Sequence, residues 1–115
     1  MNVNSQLRYW AGEVLITPPL GTPLAGYFTE RRAKGVCDDL YASILILRKG
    51  SKAVVIVACD LCSVPESLAE SIRKSVAEKL DMPSCSVVVS ATHTHTGPQW
   101  GILNVRDTIR KSLAG

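Results

Sequence analysis

The sequence predicts an α/β fold in which a β-hairpin runs into a βαβ unit, so that one mixed sheet carries both antiparallel and parallel strand pairs. Three observations predict it. Two apolar runs, Leu40 to Leu47 and Ala53 to Cys59, flank Arg48-Lys49-Gly50-Ser51-Lys52, the pattern of a hairpin with a glycine-containing turn. Leu68, Ile72, Val76 and Leu80 then recur every four residues, which draws one apolar stripe down a helix. A third β-branched run, Val87 to Ser90, follows Pro83. The order strand, helix, strand calls for a right-handed crossover between parallel neighbours.

Taken in order, residues 12–35 hold a short strand and a long loop. Gly12 to Thr17 has strand character and is stopped by Pro18-Pro19. The Pro- and Gly-rich stretch to Gly35, with Tyr27 and Phe28, exceeds an ordinary connection, so it reads as a functional loop or a surface excursion. The hairpin occupies residues 40–59. Its second strand is apolar at successive positions, as expected of a central strand covered on both faces. Ser63-Val64-Pro65-Glu66 has the S-x-x-E form of a capping box, which predicts a helix from about Val64 to the turn before Pro83. Ala69 and Ala77 extend its apolar stripe, and Glu70 and Lys74 pair at i and i+4 on its wet face. The βαβ unit spans residues 53–90. Beyond Gln99 the pattern admits one more short helix. Since one long helix and one short one cannot cover both faces of the sheet, one face should stay open, for a further segment or a second copy in a homo-oligomer to cover.

Val87 to Pro98, VVVSATHTHTGP, is the stretch most suited to chemistry. A buried strand runs directly into a polar loop, residues 91–98, and the carboxyl ends of strands are where an open α/β sheet gathers its ligands. With strand geometry kept through Thr94, His93 and His95 would share a side, roughly 7 Å apart at about 3.3 Å per residue. That spacing suits two ligands on one metal, or one ligand beside an acid/base; two exposed loop histidines are the plainer reading. Ser90, Thr92, Thr94 and Thr96 supply hydroxyls to orient an imidazole. Asp60, at the end of the preceding strand, faces the same crevice as a second-shell carboxylate or metal neighbour, or else serves helix entry. The chain has 2 histidines, so a metal site also needs a carboxylate, a thiolate, a Tyr or a ligand from outside the chain.

Composition narrows the partners. At 115 residues there is room for one domain. The 13 basic and 10 acidic residues leave a formal +3, too dispersed to argue for nucleic acid. The local cluster Arg31-Arg32-Ala33-Lys34 reads as a solvated loop. No apolar run approaches a membrane span, and Met1 to Gly12 lacks the cationic start and apolar stretch of a signal peptide, so a cytoplasmic chain with no membrane span is expected. The 4 cysteines are expected to be reduced. Cys59-Asp60-Leu61-Cys62 matches C-x-x-C, but Cys59 continues an apolar run and is expected to be buried, which argues against redox chemistry.

The set Gly12, Ile16-Thr17-Pro18-Pro19, Gly21-Thr22-Pro23-Leu24-Ala25-Gly26-Tyr27, Arg31-Arg32-Ala33, Gly35-Val36, Leu40-Tyr41-Ala42, Asp60-Leu61 and Ser90-Ala91-Thr92-His93-Thr94-His95-Thr96-Gly97-Pro98 resembles the N-terminal part of the neutral/alkaline non-lysosomal ceramidases and their bacterial relatives. The resemblance runs from the first strand to about Gln99. It implies an incomplete part of a larger ceramidase-like domain, a zinc-dependent hydrolase that cleaves the amide of a lipid such as N-acyl sphingosine through a zinc-activated water. It further implies that His93 is a zinc ligand and that His95 lies close to the site as a catalytic residue. The family's other ligands, a His, a Glu and a Tyr, lie much further along a longer chain, so this chain alone is expected to be inactive. Cys37-Asp38 stands where relatives often have His-Asp, and Thr96 where they usually have Ser. Family members are often secreted or membrane-associated. Two other readings use the same residues: a small non-catalytic α/β binding or interaction module, and a structural zinc module built from Cys59, Cys62, His93 and His95.

Overall fold

The computed structural model describes residues 6–17, 32–36, 38–94 and 105–113. Strands β1 (Arg8–Leu15), β2 (Tyr41–Lys49), β3 (Lys52–Cys59) and β4 (Val87–Ala91) lie in one sheet in that spatial order. β1 with β2 and β2 with β3 are antiparallel, whereas β3 with β4 is parallel. Helix α1 (Glu66–Leu80) and a 3-10 turn, Ser84–Ser86, connect β3 to β4, and α2 (Val105–Ser112) follows. The fold is therefore α/β with a mixed sheet, a hairpin leading into a βαβ unit. Gly50, at φ 60°, supplies the left-handed residue of the hairpin turn.

The register sets the faces. Val14, Ala42, Ile44, Val55, Val57, Cys59 and Val87 share the side on which α1 packs, and with Ile72, Val76 and Ile109 they form the core. The predicted stripe is the buried one: Ile72 and Val76 are at most 1% exposed, Ala69 and Ala77 are buried, and Leu68 and Leu80 pack against the cluster. Both helices lie on this side. Among the described residues β3 is consequently covered on one face, not on two, and Val54 and Ile56 remain 42% and 38% exposed.

Two expected boundaries move. The Ser63 capping box does not form: α1 starts at Glu66, with Pro65 at the N-cap position (φ −59°, ψ 153°) and no side-chain cap bond. A residue before proline is driven out of the helical region, so Val64 cannot lead the helix. At the other end, Asp81 turns left-handed at φ 53°, and Met82 N–H and Asp81 N–H return to the carbonyls of Ala77 and Glu78, a Schellman closure. β1 begins at Arg8 rather than Gly12, because β2 offers eight consecutive partners, from Arg48 to Tyr41. Within it, a Cβ on Gly12 would come 2.5 Å from the Trp10 indole, so the glycine makes room for that ring.

Of the long loop, residues 18–31 lie outside the described residues. Arg32 and Lys34 are exposed, in keeping with a solvated cluster, while Arg31 lies outside the description. No helix among the described residues is long and apolar enough to cross a membrane.

Candidate functional site

The carboxyl ends of β3 and β4 lie side by side, with Cys59 paired to Ala91. The two loops that leave them are stitched together by backbone bonds, Thr92 N–H to the Cys59 carbonyl and His93 N–H to that of Leu61, both 2.9 Å. This juxtaposition follows from the parallel crossover, and it brings Asp60 beside the loop that carries His93.

Strand geometry does not persist through Thr94. β4 ends at Ala91, and His93 takes φ 68°, a left-handed conformation uncommon for any residue but glycine. The turn carries the His93 ring back over the preceding loop. Its Nδ1 lies 2.7 Å from the Cys62 carbonyl oxygen, with Cys62 Sγ 3.7 Å away. A carbonyl oxygen only accepts, so Nδ1–H donates, and in the neutral ring that tautomer has its lone pair on Nε2. Metal-binding histidines are commonly fixed in this way by a backbone carbonyl on the second nitrogen. His95, Thr96, Gly97 and Pro98 lie outside the described residues, and the expected His93 to His95 spacing with them.

Asp60 holds three strand ends together. Its N–H donates to the Tyr41 carbonyl at 2.9 Å, Oδ2 accepts from Tyr41 N–H at 3.0 Å, and Oδ1 accepts from the Thr92 hydroxyl at 3.1 Å. These bonds run to β2 and to the loop after β4, rather than to the helix entry. Thr92 is thereby anchored one residue before His93. Beside them, Thr17 Oγ1 donates to Asp39 at 3.0 Å and accepts from Leu40 N–H at 2.8 Å, which ties the end of β1 to the start of β2.

The two cysteines of C-x-x-C have different surroundings. Cys59 is 0% exposed within the apolar core, and burial, with Asp60 beside it, pushes its thiol up to about 11. Cys62 is half-buried, and both are free thiols. A structural zinc module needs Cys59 as a thiolate at the loop ends, yet the residue is packed in the core with its thiolate disfavoured. The backbone carbonyl of Cys62, which orients His93, was invisible to sequence reasoning, since a carbonyl leaves no residue-type signal. As to a zinc ion, an imidazole that donates through Nδ1 has Nε2 as the nitrogen of the kind that ligates metals. Among the described residues, no group of three His, Cys, Asp or Glu side chains is assembled that holds a metal.

No protein-family model matches the chain. Its fold is similar to part of the neutral ceramidase from Pseudomonas aeruginosa, with a TM-score of 0.65 at 24% identity, covering 81% of this chain and 16% of that one. A second similar structure is a ceramidase complexed with C2, with a TM-score of 0.61 at 24% identity, covering 81% of this chain and 15% of that one. The chain thus spans less than a fifth of the length of either enzyme, and it has the fold of one segment of them.

Proposed function

We propose that this chain is the N-terminal segment of a zinc-dependent amide hydrolase of ceramidase type, acting on a lipid-like amide such as N-acyl sphingosine, and inactive without the rest of the domain. One observation carries the reading: His93, at the carboxyl ends of two parallel strands, is held as the Nδ1–H tautomer by the Cys62 carbonyl at 2.7 Å. An imidazole in that state aims Nε2 as a ligand. Likeness to one segment of neutral ceramidase supports the same reading.

In this reading His93 holds the zinc, and the remaining ligands come from outside the described residues. Zinc would supply an activated water and a Lewis acid for the amide carbonyl. His95 acts beside it in proton transfer, as its likeness to the second histidine of the motif implies. Asp60 acts through Thr92, keeping the loop that carries His93 on the end of β3. Its carboxylate supports that loop from behind, and it need not touch the metal.

The test is zinc titration of the purified chain by calorimetry, with N-acyl sphingosine hydrolysis measured alongside. We expect micromolar or weaker binding, abolished by His93→Ala, reduced by His95→Ala and insensitive to Cys59→Ser, with no turnover of the lipid. Release of the metal by Cys59→Ser but not by His93→Ala would move the site away from the histidine loop. Turnover by this chain alone would show that no further segment is required.

A further inference from the structure

We propose that the hairpin end of the sheet is a docking surface for an anionic lipid membrane, on which the chain rests without crossing it. The inference is independent of the zinc reading, because His93 follows the opposite ends of the strands. The 8 residues of β3 separate the two ends by roughly 23 Å, at about 3.3 Å per residue.

Strand register gathers four cations at this end. Arg8 lies directly opposite Arg48, and Lys49 directly opposite Lys52, so the four occupy the last two cross-strand rows before the turn at Gly50 and Ser51. All four residues are exposed. Like charges placed directly opposite one another destabilise a sheet. Acidic neighbours would relieve that repulsion, yet among the described residues none of the four pairs with an acid, and the ion pairs lie on α1 and α2. An anionic surface supplies the missing counter-charge.

Two plainer roles account for less of this. Cations on an edge strand guard it against pairing with another chain, but Arg48, Lys49 and Lys52 belong to the inner strands β2 and β3. A further protein layer over the hairpin end would bury four unpaired cations, which is costly, and lysine is depleted from the cores of protein interfaces. The choice of a membrane over a nucleic acid comes from the apolar neighbours. Leu7 and Tyr9 flank Arg8 and are 62% and 78% exposed, and Trp10 is 44% exposed. Aromatic and aliphatic side chains set among cations suit the boundary between lipid headgroups and acyl chains. Four lysines or arginines together are enough for anionic lipid to select.

Co-sedimentation of the whole chain with lipid vesicles tests this. At roughly 0.1 M salt, phosphatidylcholine vesicles holding about 30 mol% phosphatidylglycerol should retain the chain, and vesicles of phosphatidylcholine alone should not. Retention should fall steeply toward about 1 M salt, where charges are screened within about 3 Å. Arg48→Gln combined with Lys52→Gln should weaken partition about 25-fold, or about fivefold per cation, with unchanged far-UV circular dichroism. Lys34→Gln combined with Lys74→Gln removes the same charge from exposed positions outside the hairpin and should change partition less than about twofold. Tyr9→Ser should weaken it several-fold. No retention by the anionic vesicles, equal retention by the neutral ones, equal losses in the two double variants, or tighter binding to duplex DNA at the same salt would each overturn the proposal.

Discussion

Asp60 and Tyr41 are joined twice: the Asp60 amide donates to the Tyr41 carbonyl at 2.9 Å, and the Tyr41 amide donates back to the Asp60 carboxylate at 3.0 Å. With Thr92 on the second carboxylate oxygen, one side chain links the start of β2, the end of β3 and the loop after β4. Asp60→Ala should cost about 1–3 kcal/mol, the range for stranding a part-buried donor together with the loss of a charged acceptor. Hydrogen exchange should find the Tyr41 amide among the most deprotected sites. Unchanged protection at Tyr41 would remove the carboxylate from this role.

The face of α1 toward the sheet is the second test. Ile72 is fully buried, whereas the Lys74 side chain is 72% exposed, 3.7 Å from Glu70. Ile72→Asp should cost several kcal/mol by burying an unpaired carboxylate, and Lys74→Asp about 1 kcal/mol or less. Equal urea midpoints for the two variants would contradict the packing of α1.

Buried and half-buried thiols should react differently. Iodoacetamide at neutral pH is expected to label Cys62 in the folded chain and to spare Cys59, whose thiol burial pushes up to about 11. The sign of the linkage follows: the folded state keeps its proton where the unfolded chain, titrating near the ordinary value of 9.0, has lost it. The contribution of Cys59, about 2–3 kcal/mol, is therefore fully present below pH 9 and lost as pH rises toward 11. In Cys59→Ala that part of the alkaline decline should be absent from the unfolding curves.

α2 is docked on α1 by two arginines one turn apart. Arg110 Nη1 donates to the Ser75 carbonyl at 3.0 Å and its hydroxyl at 3.1 Å, and Arg106 Nη1 reaches the Ser71 hydroxyl at 3.3 Å. Arg110→Ala should destabilise by about 1–2 kcal/mol, more than Arg106→Ala, because its bonds are part-buried. Exchange rates in α2 should rise before those in β3. Equal exchange rates in α2 and β3 would count against this order.

Local chemistry in the sequence was sufficient for the hairpin, for α1 and for the parallel crossover, because turn residues, a four-residue stripe and a proline stop act over a few positions. It also marked His93 and Asp60 as strand-end residues, since a βαβ unit brings two such ends together. The tertiary structure decided the rest. Whether β3 is covered on one face or two depends on where both helices pack, and the start of β1 on the length of its partner β2. The Nδ1–H tautomer of His93 depends on a carbonyl 31 positions away, and the anchoring of Thr92 on a carboxylate 32 positions away. Partners at that separation meet only once the chain has closed, and backbone groups carry no residue identity to announce them.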